Sequence, residues 1–184
     1  MFSKSELKNE YVSWIKSFII ALGLALIIRT FFFSPVMVDG ASMEPTLHHQ
    51  EKMLVTKTIG WVGEVHRGDI VIINTDDPKL SYVKRIVGLP RDVIEMRDDQ
   101  LFINNVLVKE PYLECNKTIA HLDGRQLTED FGPIMVPDDH YFVMGDNRFR
   151  SRDSRNELGF IEADRIIGKS KFVFFPLKNA RVLQ

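Results

Sequence analysis

Two residues in this chain, Ser42 and Lys84, are of the types that together carry out nucleophilic acyl transfer. Ser42 lies in a turn between Gly40 and Pro45, and Lys84 lies in a β-like segment further along the chain. A serine hydroxyl becomes a strong nucleophile only when a base removes its proton, and a lysine acts as that base only when its ammonium is desolvated. The pair therefore predicts serine–lysine hydrolytic chemistry, provided that the fold brings the two side chains together.

The surroundings of Lys84 favour a buried side chain. Strand alternation places Lys84 on the same face as Tyr82 and Ile86, which would exclude water from it. Burial lowers a lysine pKa towards the working pH. The neighbouring Arg85 cannot be the base, because a guanidinium does not lose its proton in proteins. Taken alone, Ser42 is also consistent with an ordinary turn serine, and Lys84 with a strand lysine that reaches solvent.

Other hydrolytic chemistries lack their residues in this sequence. A Ser–His–Asp triad needs a partnered histidine, whereas the five histidines lie in polar segments and are expected at the surface. The histidines and the single cysteine, Cys115, do not have the spacing of zinc ligands, so we expect no metal and no cofactor. The net charge of -1 gives no reason to expect a nucleic acid partner.

An apolar segment near the N-terminus predicts a single transmembrane helix over residues 14–33. Its uncharged centre, residues 17–28, is shorter than the roughly 20 residues that a membrane-spanning helix needs. The full segment is long enough if Arg29 reaches an interface. Trp14 and the phenylalanines at 31–33 would then mark the two boundaries of the bilayer.

Basic residues around this segment predict its orientation. Three lysines precede the uncharged centre, and after Arg29 the next basic residue is Lys52. The positive-inside rule then makes residues 1–13 cytoplasmic and residues 34–184 an extracytoplasmic domain on the cell membrane. A cleaved secretory signal peptide is the alternative, but it would have small residues where this chain has Arg29 and bulky aromatics.

Beyond residue 34, short β-like segments predict a mostly β domain of antiparallel strands. Tight turns at residues 98–100 and 104–105 predict two consecutive hairpins. Residues 114–137 have little regular pattern and are interpreted as an insertion loop. The predicted strands are residues 53–55, 69–74, 81–87, 93–96, 101–103, 106–108, 141–144 and 166–175.

Four motifs resemble, in order, those of the type I signal peptidases of the small, single-anchor kind found in Bacillus-like Gram-positive bacteria. They are Gly-Ala-Ser-Met-Glu-Pro-Thr-Leu at 40–47, Arg-Gly-Asp-Ile-Val at 67–71, Tyr-Val-Lys-Arg-Ile-Val-Gly-Leu-Pro at 82–90, and Gly-Asp-Asn-Arg at 145–148 running on to Ser-Arg-Asp-Ser-Arg at 151–155. The resemblance implies coiled antiparallel β-sheets that carry a Ser–Lys site near the lipid bilayer. It also implies that the partners are secretory preproteins, whose signal peptides are cleaved after Ala-x-Ala.

The resemblance implies roles for individual residues. Ser42 would be the nucleophile and Lys84 the base. Ser151 would hydrogen-bond Lys84 and orient it, while Asp153 and Arg155 would form a supporting ion pair. In the same motif, we expect three arginines in solvent and two residues in a turn: Arg148, Arg150 and Arg152, and Asp146 and Asn147.

Two positions depart from the pattern of the family. Some relatives carry a serine two residues before the nucleophile and use its hydroxyl in the oxyanion hole, whereas this chain has Gly40. The backbone N–H of Ser42 would then supply most of the oxyanion stabilisation. Phe149 and Arg150 stand where relatives tend to carry polar residues, and we expect both to face solvent or membrane.

A small apolar pocket would accept the Ala-x-Ala end of a signal peptide, because larger side chains would clash. Candidates for its walls are Val38, Met43, Leu47 and Tyr82, for which ordinary core packing is the alternative interpretation.

Two other functions stay open on the sequence. A different Ser–Lys peptidase, such as a self-cleaving repressor, would carry a DNA-binding N-terminus where this chain has the predicted anchor. A non-catalytic anchored β module for binding at the cell surface would not need Ser42, Lys84 and Ser151 in matching motifs.

Overall fold

The computed structural model of the protein describes residues 4–31, 33–57, 64–75, 77 and 80–183. These residues form two α-helices, α1 (Lys4–Phe31) and α2 (Glu114–Leu122), together with three short 3-10 turns. The strands are β1 (Phe33–Met37), β2 (Lys52–Thr56), β3 (Ile70–Asn74), β4 (Ser81–Gly88), β5 (Val93–Arg97), β6 (Gln100–Ile103), β7 (Val106–Val108), β8 (Phe131–Met135), β9 (His140–Met144), β10 (Ile161–Glu162), β11 (Ile166–Phe175) and β12 (Arg181–Val182).

Helix α1 covers most of the segment for which the sequence predicts an anchor. It is 28 residues long, and apolar side chains along it, such as Phe18, are exposed. The predicted anchor includes Phe33, which is instead the first residue of β1 and pairs with β2. No helix within the described ranges has both the length and the apolar character needed to cross a membrane. Phe32, which is predicted to mark a boundary of the bilayer, lies outside the described residues, and so does the side chain of Arg29.

The strands form two antiparallel sheets, which confirms the prediction of a mostly β, antiparallel domain. The larger sheet has the order β1–β2–β11–β3–β4–β9–β10, and β12 pairs with β11. The smaller sheet has the order β7–β6–β5–β8. Its two predicted hairpins are confirmed, because both turns, at 98–99 and 104–105, have positive φ at their two central residues, as type I′ hairpin turns require.

The larger sheet is buried on both faces at its centre, which explains the uninterrupted apolar run of β3. Ile70 and Ile72 pack on one face, in the same cluster as residues of the turn that follows β1. Val71 and Ile73 pack on the opposite face with Ile86 of β4. Strand β4 therefore runs through the middle of the domain, where a charged side chain on it has little access to water.

The interpretation of residues 114–137 as an irregular loop is wrong, because this segment contains α2 and β8. Helix α2 buries only Ala120 fully, whereas its larger apolar residues, Ile119 and Leu122, are exposed. Strand β8 contains Gly132 and Pro133, two residues that are rare within strands. Tertiary contacts to the rest of the domain, rather than local propensity, define both elements.

A buried ion pair joins the smaller sheet to the segment after β9. Arg148 Nη2 donates a hydrogen bond to Glu110 Oε1, and both side chains are 1% exposed. Arg148 also donates through Nε to the carbonyl oxygen of Gly145. The expectation that Arg148 faces solvent is therefore wrong, whereas Arg150 and Arg152 are exposed as predicted. The pair fixes the 145–155 segment, hereafter the support loop, against the smaller sheet.

Candidate active site

Ser42 lies in the turn between β1 and β2, which we call the nucleophile turn after the predicted role of Ser42, and core side chains hold this turn in place. Met43 and Leu47 are buried, and the Leu47 N–H donates to the Met43 carbonyl oxygen at 2.9 Å. Gly40, at the start of the turn, has a φ of 99°, a left-handed conformation that favours glycine. The sequence thus directs Met43 and Leu47, which follow Ser42, inwards and leaves Ser42 itself partly accessible.

Lys84, on β4, reaches Ser42 from the interior of the domain. Its Nζ lies 2.8 Å from Ser42 Oγ and 3.1 Å from the carbonyl oxygen of Val83, and the residue is 1% exposed. Burial lowers the pKa of Lys84 to about 8, although the charges of Asp153 and Asp146 oppose this shift. At this pKa the amine is available to take a proton from the serine hydroxyl near neutral pH.

The support loop contacts the nucleophile turn through backbone atoms. The Asn147 N–H donates to the Ser42 carbonyl oxygen at 3.0 Å. Gly145 makes this approach possible, because a Cβ at that position would collide with the Ser42 carbonyl oxygen and with Ser151 Oγ. Ser151 is thus placed beside Gly145 and the nucleophile turn.

The structure places the three predicted supporting residues together but not in all the expected contacts. Asp153 is buried and accepts hydrogen bonds from the Gly145 N–H and from Arg155 Nε and Nη2, at 3.0, 2.9 and 2.9 Å. Although burial opposes ionisation, the hydrogen bonds and charge of Arg155 lower the pKa of Asp153. Ser151 Oγ is buried and, among the described residues, makes no hydrogen bond of normal distance and angle, although its hydroxyl lies close enough to Asp153 to help lower the pKa of that carboxyl. The expected bond from Ser151 to Lys84 is therefore absent, since Lys84 Nζ bonds Ser42 and Val83 instead.

A second buried ion pair lies beneath the site, where the sequence analysis expected only a turn. Arg85 donates to Asp146 through Nε at 2.9 Å and Nη2 at 2.7 Å, and both side chains are 1% exposed. Thr46, in the nucleophile turn, donates its hydroxyl to the same carboxylate. The guanidinium of Arg85 stacks on the ring of Tyr112 at 3.9 Å. Asp146 therefore links β4, the nucleophile turn and the support loop through its side chain.

Asn116, on α2, is a site residue that the sequence analysis did not identify. Its side-chain Nδ2 donates to the carbonyl oxygens of Glu44 and Asp146, at 3.1 and 3.0 Å. One amide thus connects the nucleophile turn to the support loop. No local pattern could have indicated this residue, because both acceptors are backbone atoms that are distant in the sequence.

A cleft of about 340 Å³ opens beside Ser42 and Lys84, hereafter the apolar cleft. Three of the four predicted pocket residues, Val38, Met43 and Tyr82, contribute to its walls. Leu47 does not line this cleft and is fully buried in the core instead. The remaining lining residues are Val36, Met37, Asp39, Ile72, Leu80, Ser81 and Val83.

The backbone around Ser42 offers a donor for a developing oxyanion. Within the described part of the chain, the Ser42 N–H makes no hydrogen bond, whereas the Gly40 N–H donates to His49 Nδ1 at 3.3 Å. The Gly40 N–H is therefore occupied, and the Ser42 N–H is the available donor of the two.

We expect Lys84→Met to stabilise the protein at neutral pH. The lowering of the Lys84 pKa from 10.5 to about 8 corresponds to a cost of about 3 kcal/mol, because one pKa unit is about 1.4 kcal/mol. Between about pH 8 and pH 10.5, Lys84 is protonated in the unfolded chain but not in the folded one. The free energy of unfolding of the wild type therefore rises with pH over this range. Denaturant unfolding at pH 7 and pH 10 should show this rise in the wild type and lose it in Lys84→Met.

The matched control for this experiment is Lys52→Met, which changes an exposed strand lysine. This variant should keep the pH dependence of the wild type. An unchanged pH dependence in Lys84→Met would contradict the burial-induced shift.

Comparison with known proteins shows the family of the chain. The family model described as "Signal peptidase, peptidase S26" matches residues 11–175. The chain is 54% identical over 174 residues to a signal peptidase I of Bacillus licheniformis, over 95% of this chain and 94% of that protein. It is 54% identical over 173 residues to signal peptidase I T of Bacillus subtilis strain 168, over 94% and 90%. The crystal structure of a signal peptidase I from Enterococcus faecalis V583 matches with a TM-score of 0.53 and 34% identity, over 59% of this chain and 97% of that one. The chain therefore belongs to the signal peptidase family, peptidase S26.

Proposed function

We propose that this protein removes signal peptides from exported preproteins with a Ser42–Lys84 dyad that works through an acyl-enzyme. Its membership of the signal peptidase family supports the overall reaction. The observation that carries the dyad is the 2.8 Å separation between Lys84 Nζ and Ser42 Oγ, at a lysine that is 1% exposed. A lysine with this degree of burial can accept the serine proton, whereas an exposed lysine would be protonated at the same pH.

In the first half of the reaction, Ser42 Oγ attacks the carbonyl carbon of the scissile peptide bond while its proton moves to Lys84 Nζ. The Ser42 N–H stabilises the oxyanion that forms. The carbon–nitrogen bond then breaks, and Lys84 gives its proton to the departing amine of the mature protein. In the second half, Lys84 takes a proton from water while the water oxygen attacks the ester carbonyl carbon. The bond between that carbon and Ser42 Oγ then breaks, Lys84 returns its proton to Ser42 Oγ, and the signal peptide leaves with a free carboxyl group. Asp153 and Arg155 hold the support loop in place, and Ser151 of the same loop lies beside Gly145.

The apolar cleft supports a preference for small residues at the end of the signal peptide. Met43 and Val38 form part of its walls and belong to the core, so they cannot move aside for a larger side chain. Tyr82 contributes a further wall and lies with its ring centroid 5.5 Å from Lys84 Nζ. A signal peptide that ends in Ala-x-Ala would fit such a cleft.

We infer a single-pass anchor that begins at residue 14 and ends with helix α1 at Phe31, with residues 1–13 in the cytoplasm and residues 34–184 outside. Helix α1 has 28 residues, which gives a length of about 42 Å at 1.5 Å per residue. The hydrocarbon core of a bilayer is about 30 Å thick. The exposed apolar side chains of α1 would contact lipid in this arrangement.

The natural cysteine of the chain allows this topology to be tested. Cys115 is exposed and lies in the predicted outer domain. In protoplasts, a membrane-impermeant maleimide should label the wild type but not a Cys115→Ser, Ser5→Cys variant, whose thiol lies in the predicted cytoplasmic segment. The opposite pattern would overturn the orientation. A labelled protein shortened by about thirty residues would indicate a cleaved signal instead of an anchor.

The dyad predicts that Ser42→Ala and Lys84→Ala each abolish cleavage of a preprotein with an Ala-x-Ala end. Because only the deprotonated amine can act as the base, the wild-type rate should rise with pH through about 8, the pKa of Lys84. Cleavage by the full-length protein in liposomes, measured across a pH series, provides both readouts. Residual cleavage near the wild-type rate in either variant would rule out the mechanism.

Asn116 is proposed as a positioning residue, because it touches no reacting atom. We expect Asn116→Ala to lower kcat about tenfold with little change in KM, which corresponds to about 1.4 kcal/mol, within the range expected for two lost hydrogen bonds. The control is Thr118→Ala, which lies two residues further along α2 on its exposed side. Steady-state kinetics should show no effect in the control. A change confined to KM, or none, would contradict a role for Asn116 in holding the nucleophile turn.

A further inference from the structure

A second cleft, larger than the apolar cleft, lies next to the support loop. It has a volume of about 660 Å³ and is bounded by residues 125–131 on one side and residues 148–156 on the other. We call it the loop cleft. Its walls include Arg125, Gln126, Phe131, Phe149, Ser151 and Asn156.

The loop cleft begins close to the nucleophile. Ser151 lines it, and the Cβ position of Gly145 is in contact with both Ser151 Oγ and the Ser42 carbonyl oxygen. The two clefts share no lining residue. Ser42 and Lys84 line the apolar cleft. The loop cleft is lined by part of the support loop, which contacts the nucleophile turn through the hydrogen bond from the Asn147 N–H to the Ser42 carbonyl oxygen.

We propose that the loop cleft binds the first residues of the mature protein, in extended conformation, during cleavage. This inference rests on the proposed function. A peptide whose signal end occupies the apolar cleft has its scissile carbonyl at Ser42, and the chain that follows must leave the site elsewhere. The departing amine must also stay close to Lys84, which supplies its proton. Lys84 Nζ lies 2.8 Å from Ser42 Oγ, in the turn whose Ser42 carbonyl oxygen accepts a hydrogen bond from Asn147 of the support loop.

The walls of the loop cleft suit a peptide of mixed composition. Phe149 is 48% exposed and stacks against the guanidinium of Arg125, whose Cζ lies 4.2 Å from the ring centroid. This pair presents a flat apolar surface with a polar edge, on which an extended chain can pack. Both signs of charge occur in the walls, as Arg125 faces the same cleft as Glu129 and Asp130. The cleft therefore favours contact with several mature residues over selection of one charged residue.

The proposal predicts that cleavage depends on the length of the mature segment. We would compare two peptides with the same signal end through Ala-x-Ala, one with a single mature residue and one with five. With the full-length protein in detergent micelles, kcat/KM should be about tenfold higher for the longer peptide, because binding there contributes to transition-state stabilisation. Phe149→Ala and Arg125→Ala should each bring this ratio close to one.

The matched control is Phe175→Ala. Phe175 is also 48% exposed and contacts a cation, with Lys52 Nζ 5.1 Å from its ring centroid, but it does not line the loop cleft. The ratio should remain about tenfold in this variant. Cleavage of both peptides with a ratio near one in the wild type, or a ratio that survives both cleft variants, would overturn the loop-cleft proposal and leave the dyad intact. Failure of the wild type to cleave either peptide would overturn the proposed function as well.

Discussion

The desolvation of Lys84 is the constraint on which the arrangement of the site depends. A lysine amine is a base near neutral pH only if it is buried and no carboxylate bonds it directly. Asp153 and Asp146 lie close enough to raise the Lys84 pKa, yet each is bonded to an arginine, Arg155 or Arg85. Because the arginines bond these carboxylate oxygens, the acids act on Lys84 from a distance and burial dominates its pKa. The same carboxylates also hold the site together, because Asp153 accepts a hydrogen bond from the Gly145 N–H and Asp146 accepts one from the Thr46 hydroxyl.

The buried polar groups position separate segments of the chain, although their net contribution to the free energy of unfolding is small. Taking two charges out of water costs about as much as their mutual attraction returns, so such pairs contribute little net stability. Their positions are informative: Arg85 and Asp146 tie β4 to the support loop, and Arg148 and Glu110 tie that loop to the smaller sheet. Asn116 ties it to the nucleophile turn. Three separate segments are thus held in register around one serine, a degree of precision that apolar packing alone would not provide.

Local rules explain which parts of this architecture could be predicted from the sequence. Strand alternation and tight turns located the hairpins. Residue types and motifs indicated Ser42 as the candidate nucleophile and Lys84 as the candidate base, but their contact across 42 positions belongs to the tertiary fold. Residues 114–137 escaped prediction because α2 buries little surface and β8 contains Gly132 and Pro133. Arg148 was indistinguishable from a solvated arginine, because its partner Glu110 is 38 positions away and an exposed ion pair uses the same residue types.

The nucleophile turn and the apolar cleft share side chains, which would couple the proposed substrate preference to the proposed catalysis. Val38 and Met43 line the cleft, yet both are at most 4% exposed and pack in the core beside Leu47. A wider cleft would need a smaller residue at one of these positions, and the resulting cavity would weaken the packing that holds the turn. The proposed preference for small residues therefore needs no separate specificity residue. It follows from the core packing that keeps Ser42 within hydrogen-bond distance of Lys84.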